Sequence, residues 1–133
     1  VLISDLITIH QKTGIGRLSA FCGATSAGIG AACGIAWLDG GDYEVIAHTI
    51  VNGLAILSGM VCDGAKPSCA AKIATAVRNG LLGYQMYRQG CQFYGGDGIV
   101  TKGVENTIAN VGRLANRGMR STDCEILNIM IGN

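Results

Sequence analysis

A chain of 133 residues with a net charge of +1 is one domain by size and lacks the basic footprint of a nucleic-acid binder. Charged residues make up 14% and hydrophobic ones 49%, and 21 glycines stand beside one proline. This excludes a disordered, loop-built chain and a collagen-like repeat. Aromatics are scarce, so the core must be built from Ala, Ile, Leu, Val and Met. Small residues at this density point to helices packed at short distance.

The chain opens Val1-Leu2-Ile3-Ser4-Asp5, without the charged segment or cleavage site of a secretory leader. The six cysteines are therefore read as reduced thiols of a cytoplasmic protein rather than as three disulfides. A chain without an initiator Met is expected to be a piece of something longer.

Residues 2–12 read as a short helix with Leu2, Leu6 and Ile9 on one face and His10 near its end. Thr13-Gly14-Ile15-Gly16 breaks it. Leu18 to Leu38 contains no charge, and Asp39-Gly40-Gly41-Asp42 is a turn whose Asp42 can cap the next helix. Val45 to Val61 is a second uncharged run, carrying His48 and Asn52. Two such runs joined by a tight turn fit a membrane hairpin. The amphipathic helices that follow need an aqueous side, so the better reading is a buried, Gly/Ala-rich central hairpin and no membrane.

Pro67 to Asn79 reads as a helix closed by Gly80, with Ile73, Ala76 and Val77 inward and Lys72 and Arg78 toward solvent. Leu81 to Gln89 is a shorter helix stopped by Gly90. Cys91 to Thr101 is a loop that turns at Gly95-Gly96-Asp97-Gly98. Val104, Ile108, Val111 and Ala115 mark an amphipathic helix ending near Gly118. Thr122-Asp123-Cys124-Glu125 has the capping-box pattern, opening a last helix with Ile126, Leu127, Ile129 and Met130. No alternating strand is found. The prediction is a compact all-α domain of five to seven helices.

The chemistry concentrates in Cys62-Asp63-Gly64-Ala65-Lys66-Pro67-Ser68-Cys69. Pro67 suits the first position of a helix, which places Cys69 in the first turn, where unpaired N–H groups and the helix dipole favour a thiolate. Two buried structural cysteines are the plain alternative, as is an acid at a helix start that merely contributes a favourable charge. Cys22 and Cys33 lie eleven residues apart and so roughly on one helix face. Cys91 and Cys124 are read as incidental. Three converging thiolates would favour an iron–sulfur cluster or zinc. His10 and His48 are candidate acid–base groups, although His48 on an apolar helix is more often a packing residue. Gly23, Gly28, Gly30 and Gly34 form no dinucleotide fingerprint, since no strand precedes them, and are read as close-packing positions. There is no Ser-His-Asp arrangement, P-loop or H-E-x-x-H.

Together, Gly16-Arg17-Leu18-Ser19-Ala20-Phe21-Cys22-Gly23, Ala32-Cys33-Gly34-Ile35-Ala36-Trp37-Leu38, Gly59-Met60-Val61-Cys62-Asp63-Gly64-Ala65-Lys66 and Asp97-Gly98-Ile99-Val100 resemble one family. It is the L-cysteine desulfidase family, the YhaM-like group within the serine dehydratase alpha-chain superfamily. The resemblance covers essentially the whole chain. It implies that residues 1–133 are the C-terminal, iron–sulfur-binding helical domain of a longer enzyme. Members are lyases with an oxygen-sensitive 4Fe-4S cluster and no pyridoxal phosphate. They convert L-cysteine or L-serine to pyruvate and ammonia, with sulfide released from cysteine. The resemblance implies Cys22 and Cys62 as cluster ligands. Cys69 matches a ligand of the related serine dehydratases, across a segment that is shorter here, whereas desulfidase-like members take one ligand from their N-terminal part. Asp63 and Lys66 would lie beside the cluster as the catalytic pair, with neither assigned as base. The implied partners are the amino-acid substrate and the N-terminal part of the same enzyme. A homo-oligomer is left open. The competing readings are a structural zinc or thiol module and a membrane hairpin protein.

Overall fold

Six α-helices carry the chain in the computed structural model, which describes residues 1–132. They are α1 (Leu2–Ile15), α2 (Gly23–Leu38), α3 (Tyr43–Ile56), α4 (Ser68–Arg88), α5 (Val104–Arg113) and α6 (Arg120–Ile131). A single π-helical turn, Leu114–Gly118, joins α5 to α6. Among the described residues the only β pairing is one antiparallel bridge between Phe21 and Val61. The all-α expectation holds.

α2 is the centre because its small residues let three helices approach it. A Cβ on Gly28 would run into the Ala76 backbone, and one on Gly80 would lie 2.6 Å from the Gly28 carbonyl oxygen and 2.8 Å from the Ala32 Cβ. Gly28 thus meets Ala76 and Ala32 meets Gly80, so α2 and α4 run parallel and begin at the same end of the molecule. Gly30 is pressed in the same way against Ser4 and Thr8 of α1, while Lys12 reaches Gly23, so α1 runs antiparallel to α2. The core of Ile15, Phe21, Ile29, Cys33, Ile50, Leu54, Ile108, Val111 and Ala115 fills the space between α1, α2, α3 and α5. Asp42 caps α3 as expected, its Oδ1 accepting from the Val45 N–H at 3.1 Å.

Several expected boundaries shift. α1 continues through Gly14, which packs on Gly112, and stops at Gly16 (φ 92°). Its inward face is Ile3, Ile7, Gln11 and Ile15, spaced four apart; Leu2, Leu6 and Ile9 are exposed. Residues 18–22 are not helical, so α2 starts at Gly23. The hairpin is buried only in part, because Trp37 and Leu38 emerge at its tip. Gly80 does not close a helix: α4 runs unbroken from Ser68 to Arg88, and the missing side chain serves the α2 contact instead. Ile73 is 56% exposed, and α4 turns Ala76, Asn79, Gly80, Gly83 and Tyr84 inward. The capping box at Thr122 is absent, since α6 begins two residues earlier and no side chain caps it. No helix among the described residues is long and apolar enough to cross a membrane.

Candidate active site

The Phe21–Val61 bridge brings the two expected ligand positions together. The Cys22 N–H donates to the Met60 carbonyl at 2.9 Å, and the Cys62 N–H donates to the Ala20 carbonyl at 2.6 Å. Alternation along extended backbone puts Cys22 and Cys62 on the face opposite Phe21 and Val61. Phe21 is 1% exposed and anchors that strip in the core. Ser19 Oγ fixes it further, donating to the Ala115 carbonyl at 2.8 Å and accepting from the Phe21 N–H at 3.0 Å.

Cys22 is the N-cap of α2 and supplies no side-chain cap. Cys69 sits in the first turn of α4, where its Sγ lies 3.5 Å from the Gly64 carbonyl oxygen. Because α2 and α4 are parallel, both helix N-termini direct their positive ends to the same region, which favours an anion there. Three lysines reinforce that field. Lys66 and Lys72 both donate to the Asp63 carboxylate, and Lys72 also donates to the Val61 carbonyl at 2.8 Å. A Cβ on Gly23 would lie 3.7 Å from Lys12 Nζ. Gly64, at φ 89°, supplies the left-handed turn that folds Asp63 back toward Lys66.

The ion pairs set the protonation states. Hydrogen bonds from Lys66 and then Lys72 hold the Asp63 carboxyl down at about 2. The same carboxylate raises the Lys72 pKa, and Cys22 and Cys69 lie close enough to that ammonium to add to the effect. Lys72 is therefore part of the site. Its place on the helix pattern suggests a solvent-facing lysine, but its side chain is only 23% exposed. The available signal was its position three residues after Cys69, one helical turn along the same face. Thr25 and Ser26, in the first turn of α2, are fully buried with hydroxyls that have no partner within the described residues.

The other expected residues lie elsewhere. Cys33 is fully buried in the core, and burial pushes its thiol up to about 12. Cys91 and Cys124 are exposed. His10 binds Glu105 at 2.7 Å on the surface, tying α1 to α5. His48 stacks on Tyr87 with ring centroids 4.6 Å apart. Among the described residues no three His, Cys, Asp or Glu side chains converge closely enough to hold a single metal ion.

Fold and site together define a class: a helical domain that gathers cysteines and lysines at the shared N-terminal end of two parallel helices. A family model described as serine dehydratase alpha chain matches residues 1–128. A UPF0597 protein of Desulfitobacterium hafniense (strain Y51) is 66% identical over 131 residues, 98% of this chain and 30% of that protein. UPF0597 proteins of Treponema denticola and Lachnoclostridium phytofermentans are 50% and 52% identical over 98% of this chain and 30% and 31% of theirs. The chain belongs to the serine dehydratase alpha chain family, and it spans about 30% of the length of these curated relatives. No solved structure matches it.

Proposed function

We propose that this chain is the C-terminal, cluster-binding domain of a cytoplasmic iron–sulfur lyase that converts L-cysteine to pyruvate, ammonia and hydrogen sulfide. The observation that carries the proposal is the bridge-held pair Cys22 and Cys62 beside the Asp63–Lys72 ion pair. Soft thiols at a positive helix terminus suit an anionic iron–sulfur group. Two thiols and no self-contained ion site fit a shared ligand set, completed by Cys69 or by a residue from the N-terminal part of the parent. The same geometry disfavours a zinc module complete within this chain, since zinc takes four ligands.

When bound, a 4Fe-4S cluster with one iron free of protein ligands supplies a Lewis acid for the substrate's β-sulfur or β-hydroxyl. Cys22 and Cys62 would hold the group. Lys72 and Lys66, two cations sharing the single Asp63 carboxylate, leave this end of the helices positive and would draw in the substrate carboxylate. Asp63, its carboxyl held down at about 2 by hydrogen bonds from Lys66 and Lys72, is a carboxylate throughout the physiological range. Its carboxylate positions the two lysines, accepting a hydrogen bond from each. L-Serine is the second reading, favoured by the family's own name. Pyruvate and sulfide release by the anaerobically purified parent, assayed with both amino acids, decides between them. Sulfide with pyruvate from cysteine supports the first reading. Pyruvate from serine alone supports the second. Pyruvate from neither overturns both.

A further inference from the structure

A second site stands at the other end of α3. An open groove of about 520 Å³ is walled on one side by Tyr43, Glu44 and His48 of α3 and on the other by Phe93, Tyr94 and Lys102 of the loop that precedes α5. Glu44 to Ile56 is about 18 Å of helix at 1.5 Å per residue, and Cys62 lies beyond that end. The groove is therefore separate from the cysteine site.

Its chemistry is unusual for this chain. Of only seven Phe, Trp and Tyr residues in the sequence, three line this groove, and a fourth, Tyr87, stacks beneath His48. An acid and a base, Glu44 and Lys102, both line it, and neither takes part in a salt bridge among the described residues. The far wall is also held in place. Asn52 Oδ1 accepts from the Phe93 N–H at 3.1 Å, Asp97 Oδ2 accepts from the Tyr94 N–H at 2.8 Å, and Thr107 Oγ1 clasps both backbone groups of Thr101 at 3.2 Å. A preformed cleft of this size with a few convergent polar groups is what small-molecule sites look like.

We infer that this groove binds a free L-amino acid with an aromatic side chain. The ring lies among Tyr43, Phe93 and Tyr94, Lys102 takes the carboxylate, and Glu44 takes the ammonium, which the tyrosine faces also attract. The site does not depend on the lyase reading.

Titration of the ¹⁵N-labelled chain with L-phenylalanine, L-tyrosine, L-serine and L-cysteine tests it. Saturable amide shifts confined to residues 43–51 and 93–104, strongest for the aromatic pair, are expected. E44Q and K102M should each weaken binding at least about tenfold, as loss of one charge-assisted contact does, with unchanged circular dichroism. The double variant C22A/C62A should bind as the wild type does. No saturable shift up to about 10 mM, or shifts centred on Cys22 and Cys62, would overturn the inference. So would protection of residues 93–104 from hydrogen exchange in the full-length parent with no amino-acid binding there, because another segment would then fill the groove.

Discussion

Gly80→Ala probes the contact that aligns the two helix N-termini. In isolation the change should help, because alanine in a helix interior is favoured over glycine by roughly 1 kcal/mol. Here the new methyl would lie 2.6 Å from the Gly28 carbonyl oxygen, 2.8 Å from the Ala32 Cβ and 3.1 Å from the Gly28 carbonyl carbon. Two of those atoms are backbone, so relief requires α2 and α4 to separate. Overpacking of this kind costs about 1–3 kcal/mol, which leaves a net loss of up to about 2 kcal/mol after the propensity gain. At roughly 3–5 °C per kcal/mol for a domain of this size, the midpoint should fall by up to about 10 °C. Gly34→Ala on α2 is the control: its Cβ would meet nothing nearer than Ser4 Cβ at 3.7 Å, so only the gain remains and the midpoint should rise. Thermal unfolding followed at 222 nm reads both. A Gly80→Ala protein more stable than the wild type, by as much as the Gly34→Ala control, would mean that α2 and α4 do not approach through their backbones.

Asn52→Ala should cost about 1–3 kcal/mol by urea unfolding, because it strands the Phe93 N–H that Asn52 satisfies at 3.1 Å and removes its second bond, at 3.0 Å, to the Gly83 carbonyl. It should also expose the 91–101 loop to proteolysis; an unchanged midpoint contradicts the clamp. At pH 8, iodoacetamide should modify the exposed Cys91 and Cys124 well before Cys33, since burial holds the Cys33 thiol at about 12. Equal rates by mass spectrometry would refute that placement. Asp63 should titrate near 2 by carboxyl NMR against about 3.9 for a free aspartate. Its folded pKa is the lower one, so its stabilisation is whole above about pH 4 and is lost as pH falls through about 2. In K66M/K72M the midpoint should move up toward the ordinary value; no movement would disprove the lysine pairing.

The helical class was legible because the chain has apolar periodicity and no alternating run. The cysteine elements were legible because the motif is local: Cys62, Asp63, Lys66 and Cys69 lie within eight consecutive residues. What failed was non-local. Gly80 looks like a terminator, and only the neighbouring α2 backbone shows that it is a packing position. Leu2, Leu6 and Ile9 look like a buried stripe, yet the core takes the Ile3, Ile7, Ile15 face because α2 and α5 meet α1 there. Lys72 looks like a surface lysine until the Phe21–Val61 bridge places Asp63 and the Val61 carbonyl within its reach. That bridge joins residues 40 apart, a pairing that periodicity does not reveal.

We propose that Cys22 and Cys62 together hold an iron–sulfur cluster in the full-length parent. Iron and acid-labile sulfide should be measured in the anaerobically purified full-length parent, with each cysteine changed singly to alanine. About four irons and four sulfides per chain are expected in the wild type, as for a 4Fe-4S group, and loss of most of both in either variant. Unchanged iron and sulfide in both variants would contradict it.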